Sequence, residues 1–597
     1  MSRYFKSVFI IRNQNDKFKQ KSFPNDGSHD RFNGKLSVNL QGKNCQMTFP
    51  KIPLAQSIIE ICAQQGIQHI VISPGSRNAP LTIGFASQPR FRCYSIADER
   101  CAAFFALGIA QQLHEPVVLV CTSGSALLNY YPAFAEAFYS QIPLVVISAD
   151  RPTDKIDIGD GQTIRQQNVY ANHSLYNANL SESASAENDA EINTAIGISR
   201  VKKGPVHINA PFEEPLYETQ EGISVTPAIA EMNVTAAQNP NLANFAGIWN
   251  GARKKLLLVG VNEPGVVSDA VVGQIAADPS MMVMTETTSN LHHPSFINNI
   301  DTIITPFTEE EFGALQPDLL ITFGGMVVSK RIKAFLRKYR PKNHWHIDPL
   351  RAYDTFGALT KHFEMPVNDF FGQLAPSVAH SVSDYRELGQ GIKDLRARRH
   401  EEYLRKMPFC DFKVFAAVMP ALRRESQLQI SNSAAIRYAQ LIEIDPTIEV
   451  FCNRGTSGID GSTSTAIGAA LASGKQTTLI TGDIGFLYDS NALWNSYIPK
   501  NFKIILVNNG GGGIFRILPG HQETPVFNTY FETGHTLTAE HLAKMFGLNY
   551  LSANDENTLE VGLSALFASD ERPAILEVFT PTSVNDGVLL QYFRELI

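Results

Sequence analysis

The sequence predicts an α/β protein built from three doubly wound parallel-sheet domains. Short apolar runs rich in β-branched residues, such as HIVISPG, PVVLVCTSG and TTLITGD, alternate with longer stretches whose pattern fits helices. Because these runs are continuously apolar, we expect the strands to be covered on both faces, as in parallel sheets. The chain has 597 residues, which is too long for one ordinary hydrophobic core and favours several domains.

The three predicted domains follow one another along the chain. We expect a first domain at residues 47–225, a central domain at 226–405 and a third domain at 406–597, with a Pro-, Thr- and Asn-rich linker from about 213 to 250. Residues 1–46 are polar and basic and contain no glutamate, so they cannot bury enough apolar surface to fold alone. They are either a disordered tail or a misassigned extension ahead of a true start at Met47.

Composition argues against several classes of protein. A net charge of −7 and a charged fraction of 18% do not suit broad binding to nucleic acid or anionic membranes. No apolar run reaches the roughly 18 residues that a membrane span needs. The seven cysteines form no CxxC pair, and several lie in apolar runs, which is typical of reduced thiols. We therefore expect a cytoplasmic protein without nucleic-acid or membrane partners.

The third domain contains two strand ends that suit a metal-bound diphosphate. Asp483 follows the apolar run TTLITG, and VNNGGGG ends the next apolar run. The side chains of Asp483 and Asn509 offer hard oxygen ligands, and the carbonyl of Gly511 offers a third, as Mg²⁺ prefers. Gly482 and the glycines after Asn509 let backbone N–H groups approach a phosphate closely. An isolated pattern of this kind is also compatible with two ordinary strand-end turns.

A second feature lies in the first domain, where Glu99 follows the strand RFRCYSI and opens an alanine-rich amphipathic helix. A carboxylate hydrogen-bonded to an aminopyrimidine ring drives the tautomerisation that thiamine chemistry requires. The helix dipole alone also favours an acidic residue at this point. Since Glu99 and the Asp483 motif lie in separate α/β domains, their joint occurrence favours a two-part cofactor site.

These segments resemble the thiamine diphosphate-dependent enzymes, whose motif is GDG, about two dozen residues, and NN. Here 26 positions lead from Asp483 to Asn509, and Ile484 replaces the last glycine of GDG. From about residue 50 onward the chain resembles the 2-succinyl-5-enolpyruvyl-6-hydroxy-3-cyclohexene-1-carboxylate synthase (MenD) branch, which also carries an apolar residue there. The segments that carry this resemblance are SPGSRNAPL, ADERCAAFFALG, TSGSALLNYYPAFAEA, SADRP, GQTIRQ, NRGTSGIDG, GDIGFLYDSNAL and NNGGGGIFRILP.

The resemblance implies a thiamine diphosphate-dependent transferase that uses Mg²⁺ or Mn²⁺. Its first domain would bind the pyrimidine ring and its third domain the diphosphate. In the implied reaction, 2-oxoglutarate is decarboxylated and the succinyl-semialdehyde carbanion adds in a 1,4 manner to isochorismate, in menaquinone biosynthesis. The resemblance also implies a homodimer or homotetramer with its sites at the interface, because the first domain would face the partner's third domain.

The same resemblance implies the roles of individual residues. Glu99 and Gln162 would be catalytic, and Asp483, Asn509 and Gly511 would hold the metal. The cofactor-binding residues would be Glu99, Ile459, Gly482, Asp483, Asn509 and Gly511, with Ile459 forcing the cofactor into a V shape. Both substrates carry carboxylates, which arginine binds bidentately. The substrate candidates are Ser76, Arg77, Arg151, Gln162, Lys330, Arg331, Ser433, Arg437, Arg454 and Phe515. Each arginine alone is about equally compatible with an ordinary ion pair, but this alternative is weaker for Arg77 and Arg454, which lie in glycine-flanked turns within apolar surroundings.

Two other functions remain open from the sequence. The first is another thiamine diphosphate-dependent 2-oxoacid decarboxylase or ligase, such as an acetohydroxyacid-synthase-like enzyme; the density of arginines in the turns argues against it. The second is a non-catalytic thiamine-fold binding protein. Such proteins tend to lose the glutamate or the metal aspartate, whereas Glu99, Asp483 and Asn509 are all present here.

Overall fold

Three parallel β-sheets succeed one another along the chain, as the continuous apolar runs predict. The computed structural model describes residues 48–232, 240–379, 382–517 and 522–597. The prediction for residues 1–46 lies outside these described residues. The three sheets confirm an α/β fold with several parallel sheets, while the exact domain boundaries stay predictions.

The first sheet has six strands in the order β3-β2-β4-β5-β7-β6, all parallel. A short antiparallel pair, β1 with β8, lies beside it. The elements of this part of the chain are β1 (Phe49–Pro50), α1 (Pro53–Gln64), β2 (His69–Ile72), α2 (Ala79–Ala86), β3 (Arg92–Ser95), α3 (Glu99–Leu113), β4 (Val117–Cys121), α4 (Ala126–Asn129), α5 (Tyr131–Ser140), β5 (Leu144–Asp150), β6 (Asn177–Asn179), α6 (Ala186–Lys202), β7 (Pro205–Pro211) and β8 (Thr219–Gln220).

The central sheet has five parallel strands in the order β10-β9-β11-β12-β13. Its elements are α7 (Ala246–Gly251), β9 (Lys255–Val259), α8 (Asp269–Ala277), β10 (Met281–Thr285), α9 (Ile300–Ile304), α10 (Glu309–Leu315), β11 (Leu319–Phe323), α11 (Lys330–Lys338), β12 (Asn343–Ile347), β13 (Lys361–Phe363), α12 (Val367–Leu374) and α13 (Tyr385–Lys406). Helix α13 contains the stretch KDLRARRHEEYLRK, whose many charged residues are typical of a solvated connecting helix.

The third sheet repeats the six-stranded parallel pattern, in the order β15-β14-β16-β17-β19-β18. Its elements are α14 (Asp411–Ala421), β14 (Gln427–Ile430), α15 (Ala434–Ala439), β15 (Glu449–Phe451), α16 (Ser462–Ser473), β16 (Thr477–Gly482), α17 (Asp483–Tyr488), β17 (Lys503–Asn508), α18 (Pro525–Phe527), α19 (Glu540–Phe546), β18 (Asn549–Ala553), α20 (Glu556–Phe567), β19 (Ala574–Phe579) and α21 (Asn585–Glu595).

Part of the predicted linker is ordered core instead. A 3₁₀ turn, Leu242–Phe245, leads into α7, and both Leu242 and Trp249 are buried in the core of the central sheet. The composition of residues 213–250 as a whole hides these few large apolar side chains. Their burial contributes roughly 1.5–3 kcal/mol for each side chain, which favours a packed helix over a loose connection.

Helices α3 and α16 join the first and third parts of the chain by backbone contact. A Cβ added to Gly108 would lie 2.1 Å from the carbonyl oxygen of Thr465, and one added to Gly468 would lie 2.1 Å from that of Phe105. Only glycine allows helices to approach this closely. Among the described residues, no helix is long and apolar enough to cross a membrane.

Candidate active site

Asp483 and Asn509 leave neighbouring strands at the same edge of the third sheet. Strands β16 and β17 are parallel partners, and Gly482 lies opposite Val507 in their register. One carboxylate oxygen of Asp483, Oδ2, accepts hydrogen bonds from the backbone N–H groups of Gly510 at 2.9 Å and Gly511 at 3.0 Å. The two halves of the predicted motif are therefore bonded directly to each other.

Asn509 presents a buried oxygen that accepts no hydrogen bond from any described residue. Its side chain is 8% exposed, and its Nδ2 donates to Asp411 Oδ2 at 2.8 Å. Its Oδ1 has no hydrogen-bond partner among the described residues. Leaving a buried acceptor unsatisfied costs roughly 1–3 kcal/mol, so this oxygen suits a bound cation. Among the described residues, no group of three or more His, Cys, Asp or Glu side chains is arranged to hold a metal ion, so a cation here needs amide and carbonyl ligands as well.

The turn after Asn509, residues 510–513, needs its glycines. Gly510 has a φ of +78°, in the left-handed region that favours glycine. A Cβ on Gly511 would lie 2.8 Å from the carbonyl oxygen of Glu532. The Gly511 carbonyl accepts a hydrogen bond from Gly513 N–H at 3.1 Å, and its second lone pair is available to another donor or cation. The turn thus fits the predicted diphosphate and metal cradle.

His535 contacts the same aspartate and is a residue that the sequence analysis missed. Its Nε2 lies 3.3 Å from Asp483 Oδ2, and its Nδ1 accepts the backbone N–H of Leu537 at 3.1 Å. Burial raises the pKa of Asp483, while three backbone N–H groups and the nearby imidazole favour its charged form. His535 stands in no recognisable motif, and 52 positions separate it from Asp483 in the sequence.

Glu99 occupies the first turn of α3, as predicted. Asp98 caps this helix by accepting the Cys101 N–H at 3.1 Å. The half-buried Glu99 carboxylate accepts a 3.4 Å hydrogen bond from Asn129 Nδ2. Its charge also adds to the effect of burial in raising the pKa of the Cys121 thiol. The carboxylate therefore lies at the carboxyl edge of the first sheet with room for a further partner.

Gln162 and Arg151 lie together at this same edge of the first sheet. Arg151 directly follows β5 and donates to the Gly161 carbonyl at 3.0 Å, one residue before Gln162. The backbone of Gln162, with a φ of +56°, lies against Gly124 of the TSGS turn. Gln166, which was not predicted from the sequence, is fully buried and accepts the Gly124 N–H at 2.9 Å.

Arg77 is more deeply engaged in the fold than a free substrate ligand would be. It is 4% exposed and donates to the Phe212 carbonyl at 3.0 Å and to Glu214 at 3.2 Å. Its Nε has no hydrogen-bond partner among the described residues. Ser76, its neighbour, is exposed. An anion can therefore meet the exposed hydroxyl of Ser76 more readily than the guanidinium of Arg77 in this conformation.

Four of the predicted cationic residues, which we name the cation group, belong to the central and third parts of the chain. They are Lys330 and Arg331 at the start of α11, Arg437 in α15 and Arg454 after β15. Burial and the charge of Arg454 lower the pKa of Arg437, so the two guanidinium groups lie within electrostatic reach of each other. The Nε atoms of both have no hydrogen-bond partner among the described residues. An anionic ligand would supply hydrogen-bond acceptors for both Nε atoms.

Two buried acids hold the start of α11. The carboxylate of Glu286 accepts the backbone N–H groups of Val328 at 2.6 Å and Ser329 at 2.7 Å. Asp301 accepts a hydrogen bond from the Ser329 hydroxyl, which in turn caps α11 by accepting Ile332 N–H. Burial raises the pKa of Glu286 to about 7, against the effect of those N–H donors and of Arg454. These acids fix the backbone from which Lys330 and Arg331 project.

The spacing of four residues in SNSAAIR predicts Ser433 and Arg437 on one face of a helix, but Ser433 lies immediately before α15 and only Arg437 is helical. Ser433 has a φ of +70° and a ψ of −127°, a conformation that side chains rarely adopt. Such strained residues persist where the surrounding structure holds them, often at functional sites.

Phe515 lies in the turn Gly513–Ile517, and its ring packs edge-on with that of Phe531.

Ile459 lies against the helix that begins at Asp483. A Cβ on Gly485 of α17 would be 3.5 Å from the Ile459 carbonyl and 4.0 Å from its Cβ. The residue is half-buried. The structure thus brings Ile459 to the Asp483 motif, although the two are 24 positions apart in the sequence.

The predicted residues form two sets within the described chain. Glu99, Gln162, Ser76, Arg77 and Arg151 lie at the edge of the first sheet, whereas the remaining candidates lie on the central and third parts. No hydrogen bond or ion pair that involves described residues joins the side chains of these two sets. Glu136 of α5, which was not predicted from the sequence, does connect these parts of the chain. Its carboxylate accepts hydrogen bonds from the backbone N–H groups of Gly455 and Thr456, in the loop that contains Arg454.

Comparison with known proteins agrees with this geometry. The family model "Thiamine pyrophosphate enzyme, N-terminal TPP binding domain" matches residues 52–173, and "Thiamine pyrophosphate enzyme, C-terminal TPP binding domain" matches residues 433–578. Thiamine pyrophosphate is another name for thiamine diphosphate. The two matched ranges contain Glu99 and the Asp483 motif, respectively.

Similar curated proteins cover almost the whole chain. The 2-succinyl-5-enolpyruvyl-6-hydroxy-3-cyclohexene-1-carboxylate synthase of Flavobacterium johnsoniae is 67% identical over 92% of this chain and 100% of its own length. That of Flavobacterium psychrophilum is 66% identical with the same coverage, and that of Christiangramia forsetii is 50% identical over 92% of this chain and 99% of its own. The chain therefore belongs to the 2-succinyl-5-enolpyruvyl-6-hydroxy-3-cyclohexene-1-carboxylate synthase family of thiamine diphosphate-dependent enzymes.

Proposed function

We propose that this protein decarboxylates 2-oxoglutarate and joins the remaining four-carbon unit to isochorismate in a 1,4-addition. The product would be 2-succinyl-5-enolpyruvyl-6-hydroxy-3-cyclohexene-1-carboxylate, a precursor of menaquinone. The observation that carries the proposal is that two oxygen ligands lie at adjacent strand ends: the buried Asp483 carboxylate and the Asn509 Oδ1, which has no hydrogen-bond partner among the residues that the structure describes. The relatives named for this product, at up to 67% identity among those described above, support the choice of substrates.

The cofactor would be held by residues from both ends of the chain. Asp483, Asn509 and the Gly511 carbonyl would bind Mg²⁺ or Mn²⁺, and the metal and the glycine turn, with Gly482, would bind the diphosphate. Thiamine diphosphate, when bound, supplies the carbon nucleophile that stabilises the charge left by loss of CO₂. Glu99 would hydrogen-bond the pyrimidine ring and so control where its proton resides.

The cation group suits substrates that carry several carboxylates. Lys330, Arg331, Arg437 and Arg454 bring positive charge to one region, and buried acids hold the segment that bears the first two. We propose that this group, with Ser433 and Phe515, binds the carboxylate-bearing substrates. Ser76, Arg77, Arg151 and Gln162 would complete the substrate site from the first sheet.

We further propose a homodimer or homotetramer in which one chain provides Glu99 and its partner provides the Asp483 motif. The two sets of site residues lie on different parts of the chain, and both would be needed at one cofactor. Two large side chains, Tyr488 at the end of the Asp483 helix and Trp494 shortly after it, are 52% and 58% exposed. Such apolar surface is typical of an interface. A stable monomer that retains full activity would contradict this assembly.

The domain ranges and location are proposals as well. We propose a pyrimidine-binding domain at residues 47–225, a central domain at 226–405 and a diphosphate-binding domain at 406–597, each containing one of the three parallel sheets. A cytoplasmic location is supported by the six described cysteines, which are all free thiols.

Product analysis tests the proposed reaction. The purified protein is incubated with thiamine diphosphate and Mg²⁺, in one arm with 2-oxoglutarate plus isochorismate and in another with pyruvate alone. We expect CO₂ and the joined product only in the first arm. Turnover of pyruvate alone would favour an acetohydroxyacid-synthase-like enzyme and contradict the proposal.

The Glu99→Gln variant tests the catalytic role within that reaction. An amide cannot support the ring tautomer as a carboxylate does, so CO₂ release should fall by roughly 10²–10⁴-fold while the fold is retained. Circular dichroism of the variant provides the control for folding. Unchanged decarboxylation would refute the role assigned to Glu99.

A further inference from the structure

Asp411, the first residue of α14, lies beneath the metal motif and is held from three directions. It is 3% exposed. Its Oδ2 accepts the Asn509 side-chain amide at 2.8 Å, and its Oδ1 accepts the Thr580 hydroxyl at 2.5 Å. Its backbone N–H donates to Asn585 Oδ1 at 2.8 Å. The carboxylate is therefore fixed between β17, the end of β19 and the start of α21.

This contact decides which way the Asn509 amide points. The two ends of an asparagine side chain have nearly the same shape, but one is an NH₂ donor and the other a carbonyl acceptor. A carboxylate only accepts hydrogen bonds, so the NH₂ end of Asn509 must face Asp411. The Oδ1 end is then turned to the opposite side, where it is buried and has no hydrogen-bond partner within the described part of the chain.

The backbone of Asn509 is held independently of Asp411. Thr582 donates its hydroxyl to the Asn509 carbonyl, and the preceding residue, Asn508, donates from Nδ2 to the buried Glu577 at 2.7 Å. Losing the Asp411 contact would therefore free the orientation of one amide group and leave the turn in place. The effect of Asp411 on the orientation of the Asn509 side chain can therefore be tested without displacing the Asn509 backbone.

We propose that Asp411 is a positioning residue that presents Asn509 Oδ1 as a ligand for the divalent cation. The inference rests on the proposed function, because it requires a cation to bind at Asp483 and Asn509. Groups that orient metal ligands typically change metal affinity by 10–100-fold when they are replaced. With a neutral amide at position 411, the Asn509 side chain can turn its carbonyl inward and offer its NH₂ group, which cannot bind a metal.

The central experiment compares Asp411→Asn with Thr580→Val in the full-length chain. Thr580→Val removes a different side-chain donor to the same carboxylate and leaves the Asn509 contact intact. Affinity for Mg²⁺ is measured without substrates, from the quenching of tryptophan fluorescence at fixed thiamine diphosphate, and affinity for Mn²⁺ by electron paramagnetic resonance. We expect about 10–100-fold weaker metal binding in Asp411→Asn and a change below about threefold in Thr580→Val.

A double variant that exchanges the two side chains separates the loss of the Asn509 orientation from general damage to the fold. In Asp411→Asn/Asn509→Asp, the amide at position 411 donates to the carboxylate at position 509, and either carboxylate oxygen is a good ligand. Metal affinity should therefore return to within about tenfold of the wild-type value, which recovers most of the roughly 10–100-fold loss typical of replacing an orienting group. A double variant that binds metal no better than Asp411→Asn, or that fails to fold, would overturn the proposal.

The outcomes distinguish this inference from the proposed function. If wild-type protein binds neither metal nor thiamine diphosphate, the proposed function fails and the inference fails with it. If wild-type protein binds both and Asp411→Asn binds metal equally well, only the positioning role is wrong. Equal losses in Asp411→Asn and Thr580→Val would show that Asp411 supports the fold alone.

Discussion

The contact between Glu136 and the Arg454 loop leads to a quantitative prediction. Glu136 is 1% exposed and lies on α5 beside the first sheet, yet it accepts three hydrogen bonds from the loop after β15. Gly455 N–H donates to Oε1 at 2.7 Å, and Thr456 donates to Oε2 from its N–H at 2.6 Å and its hydroxyl at 2.8 Å. Ser140 also donates its hydroxyl to Oε1 at 2.7 Å.

The Glu136→Gln substitution keeps the shape of the side chain but replaces one of its two acceptor oxygens with an NH₂ group and removes its negative charge. The new NH₂ group should face Gly455 and Ser140, because the serine hydroxyl can reverse its role and accept. The Gly455 hydrogen bond is then lost, at about 1.5–3 kcal/mol for a bond to a charged group. The two Thr456 bonds weaken by about 1 kcal/mol each when the acceptor becomes neutral. The loop should be destabilised by about 3–5 kcal/mol.

Amide hydrogen exchange at Gly455 and Thr456 measures this effect directly. Since about 1.4 kcal/mol corresponds to a factor of ten, exchange at these two amides should accelerate by at least about 100-fold in Glu136→Gln. Ser140→Ala is the matched control, because it removes a donor to the same carboxylate and leaves all three hydrogen bonds between Glu136 and the loop in place, so exchange should stay near the wild-type rate. Exchange in Glu136→Gln within about threefold of wild type would refute the reasoning.

Three further predictions concern the acids and cations of the site. Burial raises the pKa of Glu286 from 4.5 to about 7, so the folded wild-type protein should lose on the order of 3 kcal/mol of stability as the pH rises through this range. Glu286→Gln should lose less, and the melting temperatures of both proteins at about pH 5 and pH 8 measure the difference. Asp483→Asn should weaken Mg²⁺ binding by more than the roughly 10–100-fold typical of a merely supporting group, measured by calorimetry, and unchanged affinity would exclude Asp483 as a ligand. Arg454→Lys should raise the KM for isochorismate about tenfold through loss of a bidentate contact, whereas an unchanged KM would place Arg454 outside the substrate site.

Much of the fold is predictable because local sequence determines it. Buried parallel strands need continuous apolar runs, and those runs alone locate the principal strands of the three sheets. The start of α3 follows from Asp98 and Glu99 at the head of an alanine-rich stretch. The helical segment at residues 242–251 was missed because its few large apolar residues, of which Leu242 and Trp249 are buried in the core and Phe245 packs against it, follow a long polar, proline-containing stretch.

The candidate site is predictable only where its residues lie at adjacent strand ends. Asp483 and Asn509 can be paired from the sequence because consecutive strands of a parallel sheet end at the same edge. Asp411 and Glu136 cannot be found in this way, because 98 and 319 positions separate them from Asn509 and Gly455. Their roles arise from tertiary packing, and an isolated buried acid has no sequence signature of its own.

The dependence of the two-substrate reaction on its cofactors tests the central claim most directly. Protein freed of thiamine diphosphate and metal by dialysis against a chelator is assayed with 2-oxoglutarate and isochorismate, with each cofactor added alone and then together. We predict formation of 2-succinyl-5-enolpyruvyl-6-hydroxy-3-cyclohexene-1-carboxylate only when thiamine diphosphate and Mg²⁺ are both present. Product formation without thiamine diphosphate, or no product with both cofactors, would contradict the account.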